Sequence, residues 1–335
     1  MMNYNWRLAD GYPAETNGKR VFSCFSCGGG STMGYKLAGF EVIGCCEIDP
    51  AMLDTYVKNH RPRFPFLSDI RKLKDRELPE ELYNLDILDG SPPCSTFSMA
   101  GRREADWGRK KAFREGQAQQ TLDDLFFHFI DLAERLQPKI VVSENVKGII
   151  AGNAKAYVRK IVEDFKRAGY DTQIFLLNGA TMGLPQMRER VFFVSRRKDL
   201  QLPELRLDFR EKPVPFGAIS DDTDTHKGQM TPLVEKYWDK AKAGEPVGKF
   251  VAVKKLDPRR PMNTIVAKTR HYHHKYKRET NDLELCLGGS WPLDYDFNGQ
   301  DANYIIGMSV PPLMMGKLAE QIYRQQLSRI GGAER

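Results

Sequence analysis

One cysteine, one carboxylate and a pair of arginines have the residue types and settings for covalent chemistry. Cys94 lies in Asp89-Gly90-Ser91-Pro92-Pro93-Cys94-Ser95, directly after an apolar run. Two prolines stiffen that turn and fix where the thiol points. A thiol on a rigid turn beyond a strand, ahead of a basic stretch, reads as a nucleophile. An arbitrary cysteine would instead be a small buried hydrophobe. Glu144-Asn145 ends the apolar run KIVVSENV, where a carboxylate is costly unless it is paired or functional. Asn145 is expected to orient it. Gln186-Met187-Arg188-Glu189-Arg190 leads into VFFVS. Alternate residues of an extended segment share a face, so Gln186, Arg188 and Arg190 are expected to converge on one anionic or carbonyl group; a surface ion pair is the bland reading of Arg188-Glu189-Arg190 alone. Cys24-x-x-Cys27 has no second pair or histidine at ligand spacing, so no metal is expected.

A ligand site is readable nearer the start. The run VFSCFS (21–26) stops at Gly28-Gly29-Gly30 and a helical pattern follows. Glycines let a backbone approach a ligand, and the next helix offers free N–H donors. Glu47, at the end of the following strand, is placed to accept hydrogen bonds from ribose hydroxyls. The spacing is not G-x-G-x-x-G, so a nucleoside ligand such as S-adenosylmethionine fits better than a dinucleotide. A tight turn built for packing would read the same at this level.

These groups need a scaffold, and the chain supplies one. Strands are expected at 21–26, 41–48, 85–90, 139–146, 172–177 and 190–195. Helices are expected at 31–39 (Ser31 as N-cap, Gly39 as C-cap), 50–59, 121–136 and 153–169. Strands alternating with helices indicate an α/β fold with a mainly parallel sheet. After about 196 the pattern breaks into Pro, Gly and charged residues without a long amphipathic helix. That predicts a catalytic and cofactor-binding domain over 1–196, completed by 300–335, and a smaller irregular domain over 197–299. The spacing in 310–327 predicts a last helix packed on the large domain.

The chain has 335 residues and a net charge of +7. The charge is uneven: residues 249–278 hold ten basic side chains against one acid, Asp257, so the remainder is net negative. Two tyrosines and three histidines are interleaved there, the footprint of a polyanion partner; a solvated loop surface is the alternative. A second basic stretch, with Arg102, Arg103, Arg109 and Lys110, follows Cys94. No apolar run approaches the roughly 20 residues of a membrane span. The N-terminus lacks the apolar core of a secretory signal. Six irregularly spaced cysteines do not form a disulfide framework, so reduced thiols in a cytoplasmic protein are expected.

In this order the motifs resemble the cytosine-C5 DNA methyltransferase family. Phe25-Ser26-Cys27-Gly28-Gly29-Gly30 is similar to its cofactor loop. Glu47-Ile48-Asp49 resembles its ribose-binding segment, and Ser68-Asp69-Ile70 its adenine-contacting one. Pro93-Cys94 resembles the nucleophile motif, Glu144-Asn145-Val146 the Glu-Asn-Val, and Gln186 to Arg190 the Gln-x-Arg-x-Arg. Ile306 to Pro311 resembles the closing motif. The resemblance implies a Rossmann-like, S-adenosylmethionine-dependent methyltransferase sheet with a target-recognition domain. It implies catalytic roles for Cys94, Glu144, Asn145, Arg188 and Arg190, with Arg190 facing the base and Arg188 structural or phosphate-facing. It implies cofactor contacts from Phe25, Ser26, Gly28, Gly29, Gly30, Glu47, Ile48, Asp69, Ile70, Pro92, Leu125, Ser309 and Val310. DNA contacts are expected from Ser95, Arg102, Arg103, Arg109, Lys110, Lys254, Lys255 and Arg270. Arg260-Pro261 and Thr264-Ile265 resemble a structural motif, so part of the smaller domain is framework.

Three residues depart from the family pattern. Cys27 stands where glycine is usual, which demands a negative φ or strain. Ser95 replaces a glutamine, and Met308 an asparagine. The implied partner is double-stranded DNA, with no membrane, a monomer expected, and room for a cognate restriction endonuclease in a bacterial or phage setting. An RNA cytosine-C5 methyltransferase of the same fold, an inactive DNA-binding relative and an enzyme acting on free nucleotides are the competing readings.

Overall fold

The computed structural model describes residues 2–93, 124–151, 154–223, 230–248 and 253–330. Its centre is a seven-stranded sheet in the order β3-β2-β1-β4-β5-β8-β6. The strands are β1 (Arg20–Cys24), β2 (Glu41–Glu47), β3 (Phe64–Leu67), β4 (Ile87–Gly90), β5 (Ile140–Val146), β6 (Tyr170–Asn178) and β8 (Glu189–Arg197). Those from β3 to β5 run parallel, whereas β8 is antiparallel to both β5 and β6. The short β6–β8 connection forces that reversal, because a parallel return would need a crossover of a dozen or more residues. β3 has no counterpart among the sequence expectations. It is four residues long, contains Pro65 and lies at the sheet edge, where a missing N–H is tolerated.

Alternation along the strands builds two cores. Phe22, Leu88, Val141 and Phe193 face one side, under α4 (Leu125–Leu136) and α5 (Lys155–Arg167). Val21, Ile87, Val142 and Phe192 face the other, under α1 (Gly30–Leu37) and α9 (Pro312–Gln325). The last helix thus packs on the sheet as expected. α2 (Pro50–His60) begins at Asp49, whose carboxylate accepts from the N–H groups of Ala51 and Met52, with Pro50 in the first turn. The start of α1 differs from expectation. Gly29, at φ +84°, is its N-cap rather than Ser31, and no side chain caps it.

The loss of regularity at 197 is not a loss of packing. Leu202 and Leu205 are buried in the α9 core beside Ile322 and Leu327. A third core joins Met33 and Met52 to Phe216, Met262, Ile265, Trp291, Tyr295 and Ile305. The helices of this part are short: α6 (Pro232–Lys240), α7 (Asp282–Gly289) and α8 (Ala302–Met308), after a single-turn α3 (Ile70–Leu73) in the first half. A two-residue ladder pairs β7 (Gln186–Met187) with β9 (Met262–Asn263), and Thr264 Oγ1 donates to the Met187 carbonyl at 2.6 Å. Arg260 to Ile265 is therefore framework, as its motif implied. No described helix is long and apolar enough to cross a membrane.

Candidate active site

From β1 the chain steps to β2 on one side and returns to β4 on the other. Such a switch leaves a crevice beyond the strands' carboxyl ends. The cleft lies there, with about 820 Å³ of space including solvent at its mouth. Phe25, Ile48, Ile70 and Leu125 give it apolar walls, and Glu47, Asp49, Ser68, Asp69 and Ser91 give it polar points. Pro93, Tyr304 and Met308 complete the rim.

The loop after β1 is held in an unusual shape. Phe25 and Cys27 take positive φ values, +54° and +45°, so Cys27 realises the strained branch of the expectation. Its N–H donates to Glu47 Oε2 at 2.8 Å. A β-carbon on Gly29 would lie 2.2 Å from His60 Nε2, so only glycine fits. His60 Nε2 lies 3.0 Å from the Gly28 carbonyl, and Tyr295 Oη donates to that same oxygen at 2.6 Å. Burial lowers the His60 pKa to about 3, so the imidazole is neutral and donates as the Nε2–H tautomer. His60 and Tyr295 were not read from the sequence, because what brings them to the loop is tertiary packing.

Glu47 serves the backbone first. Its carboxylate accepts from the N–H groups of Cys27, Ile48 and Asp49. Burial raises its pKa, and those three bonds oppose the rise. Asp69 caps α3 and pairs with Arg71. Ser26, Gly30, Ser309 and Val310 line a small side chamber rather than the main cleft. Pro92 is buried and its carbonyl accepts from Asn145 Nδ2 at 3.0 Å, while its neighbours Ser91 and Pro93 line the cleft.

At the end of β5, Glu144 pairs with Arg190, whose Nε lies 2.9 Å from Glu144 Oε1. Burial lowers the Arg190 pKa, and Glu144 opposes that. Asn145 does not touch Glu144. It grips the Pro92 carbonyl and accepts from the Val146 N–H, so it sets the turn that precedes Cys94. The expected convergence of Gln186, Arg188 and Arg190 is also corrected. Gln186 bridges the Gly288 carbonyl and the Ile265 N–H. Arg188 is buried and donates to the carbonyls of Ile265, Gly307 and Ser309. The Arg188 N–H donates back to Gln186 O, which kinks the extended run and separates the targets. Arg188 therefore joins two backbone segments and Arg190 alone faces Glu144.

Residues 19–248 match the family model described as C-5 cytosine-specific DNA methylase. The chain belongs to that family. Type II methyltransferase M.FnuDI of Fusobacterium nucleatum is 36% identical over 191 residues, 57% of this chain and 50% of that protein. Type II methyltransferase M.NgoPII of Neisseria gonorrhoeae is 32% identical over 231 residues, 68% of this chain and 58% of that protein. The matches thus span only about half the length of these curated relatives. A prophage-encoded E. coli protein, assigned as a DNA modification methyltransferase, has a crystal structure that superposes with a TM-score of 0.72. It is 19% identical and covers 92% of this chain and 99% of its own, a likeness of fold.

For a DNA methylase the basic window is less free than its composition. Arg270, expected on DNA, bridges Asp282 and Asp301 and donates to the Thr280 carbonyl. Lys255 Nζ lies 3.4 Å from the Trp238 ring centroid and donates to the Trp238 carbonyl. Arg259, Lys275, Lys277 and Arg278 pair with Asp257, Asp222, Asp239 and Glu284. Lys254, Arg260 and Lys268 have no ion-pair partner among the described residues. Cys94, Ser95, Arg102, Arg103, Arg109 and Lys110 lie outside the described residues.

Proposed function

We propose that the protein is an S-adenosylmethionine-dependent DNA (cytosine-5-)-methyltransferase acting on a specific duplex sequence. The observation carrying this reading is the Glu144–Arg190 pair at the end of β5, beside a turn that Asn145 ties down immediately before Cys94. Cytosine C5 is too weak a nucleophile to take a methyl group unaided. In this reading the Cys94 thiolate adds to C6, and the electron pair moves toward C5. Glu144 holds N3 and Arg190 the O2 of the same ring. When bound, S-adenosylmethionine supplies an electrophilic methyl group on a sulfonium. Once C5 has gained the methyl, a base takes the C5 proton, and the returning pair expels Cys94. The ring is inaccessible in a duplex, so the base must be flipped out, at a cost of a few kcal/mol.

The residues present fit the donor. Phe25, Ile48, Ile70 and Leu125 give the cleft apolar lining suited to a purine, and Glu47 and Asp69 give it carboxylates. The buried hydroxyls of Ser26 and Ser309 have no protein partner. Lys254, Arg260 and Lys268 suit phosphate contacts, so recognition belongs to the part of 197–299 outside the shared cores. A cytoplasmic, monomeric protein with a cognate endonuclease belongs to the same proposal. An RNA cytosine methyltransferase is the alternative, less favoured because the family description and both relatives name DNA or Type II enzymes.

Expression in a host lacking cytosine methylation, followed by bisulfite sequencing, tests the proposal. The expected result is protected cytosines in one sequence context, lost with Cys94→Ala. Unmethylated DNA together with methyl transfer to tRNA would overturn the DNA reading, and turnover by Cys94→Ala would overturn the mechanism.

A further inference from the structure

Asp89 is a buried carboxylate that the chemistry above leaves unused. It stands on β4, opposite Ser23 of β1 in the strand register, and is 2% exposed. Ser23 Oγ donates to Oδ2 at 2.9 Å and Tyr35 Oη to Oδ1 at 3.3 Å. The Ser31 hydroxyl also lies against the carboxylate, which with about four lone pairs still has acceptor capacity left. No lysine, arginine or histidine pairs with Asp89 among the described residues. A buried carboxylate without a cation is costly and persists where a ligand or a proton completes it.

The space beside it is built. Asp89 lines the side chamber together with Ser23, Ser26, Ser31, Ser91 and Ser309, and Phe25, Cys27, Ser91 and Met308 are shared with the main cleft. The Ser26 and Ser309 hydroxyls are buried and lack a protein partner. Gly30 and Ser31, which open the eight-residue α1, also line the chamber and bring the N–H end of that helix to it. The helix start thus favours an anion, and Asp89, which lies against Ser31 and Tyr35 of the same helix, favours a cation. A zwitterion matches that layout, and an amino-acid end is one.

We propose that Asp89 receives the α-ammonium of the methyl donor's amino-acid end, while the start of α1 with Ser26 and Ser309 receives its carboxylate. This rests on the donor assignment made above. The linkage has a definite sign. Burial raises the Asp89 carboxyl pKa to about 7, opposed by the hydroxyls of Ser23 and Tyr35. An ammonium prefers the ionised form, so binding lowers that pKa and releases a proton. Affinity should rise from pH 5.5 to 7 and level off above. The titratable groups around Asp89 are Cys24 beside it on β1, Tyr35 of α1, Tyr56 of α2 and Glu144 of β5. Burial pushes Cys24, Tyr35 and Tyr56 up, so they stay neutral in this range. Glu144 is paired with Arg190.

Calorimetric titration of the full chain without DNA tests this. The ligands are S-adenosylhomocysteine and its analogue lacking the α-amino group, each in two buffers of different ionisation enthalpy. Wild type should release close to one proton per S-adenosylhomocysteine at pH 6 and none for the analogue. Asp89→Asn should bind S-adenosylhomocysteine roughly 10- to 100-fold more weakly, the range for a hydrogen bond to a charged group. It should bind the analogue as wild type does, and its release should vanish. Equal losses for both ligands would make Asp89 a structural residue and overturn the proposal, as would wild-type binding without proton release. The wild-type measurement stands even if Asp89→Asn fails to fold. Wild type that binds neither ligand would overturn the donor assignment itself, a separate outcome from loss of discrimination.

Discussion

Two buried arginine–carboxylate pairs in this protein differ in one respect. In the smaller part, Glu284 is fully enclosed and saturated: Oε1 accepts from Arg278 and the Asp221 N–H, and Oε2 from Arg278 and the Asn281 N–H. At the end of β5, Glu144 accepts from Arg190 at Oε1, and Oε2 has no hydrogen bond among the described residues. A saturated pair has nothing left to offer a ligand and fixes a fold. A pair with an open oxygen remains available to a ring nitrogen, as the proposed reaction requires of Glu144. In that proposal saturation, more than burial or charge, separates the structural acid from the functional one.

The largest effects should test that contrast directly. Glu144→Gln should lower kcat by about 10²- to 10⁴-fold, the usual worth of a positioned acid or base, and cost less stability than Glu284→Gln, because it gives up a single bond to Arg190. Glu284→Gln should lower unfolding free energy by about 3–5 kcal/mol, the cost of breaking a buried pair, and leave the turnover of the folded fraction intact. Denaturant titration beside a methylation assay reads both. If Glu144→Gln unfolds the protein while remaining active where folded, the contrast fails.

A smaller effect is expected at Asn145. Asn145→Ala removes its bond to the Pro92 carbonyl, worth about 1 kcal/mol, and loosens the turn before Cys94. kcat should fall roughly fivefold to tenfold, about the rate equivalent of that bond, with the cofactor Kd unchanged. A rise in that Kd with unchanged kcat would place Asn145 in ligand binding instead. The smallest effect concerns DNA affinity. Lys254→Gln should reduce the slope of log affinity against log salt by about 0.9, one phosphate contact. Arg270→Gln should leave the slope unchanged and cost stability, because its charge is already met by Asp282 and Asp301. Equal slopes for both variants would mean that the paired arginine reads phosphate after all.

The scaffold was legible because its signals are local. β1, β2, β4 and β5 appear as apolar runs, α4 and α5 as amphipathic periods, and the cleft follows from strand order. The cofactor loop and Glu144 were legible for the same reason: glycine beside a strand, and an acid inside an apolar run, are costly without a use. Asp89 carries that signal too, as an acid within LDILDG. β3 was missed because four residues with a proline carry almost no periodicity.

What the amino-acid order determined by itself is thus the chemistry-bearing residue types, their place at strand ends and the family to which the chain belongs. Only the tertiary structure decided which partners they meet. It turned Asn145 toward Pro92, parted Arg188 from Arg190, set His60 and Tyr295 on the Gly28 carbonyl and met four cations of the basic run, Arg270, Lys275, Lys277 and Arg278, with acids from elsewhere in the chain. The physical reason is range. Propensity and periodicity act over a few residues, whereas hydrogen bonds and ion pairs act over a few ångströms and join whatever the fold brings that close.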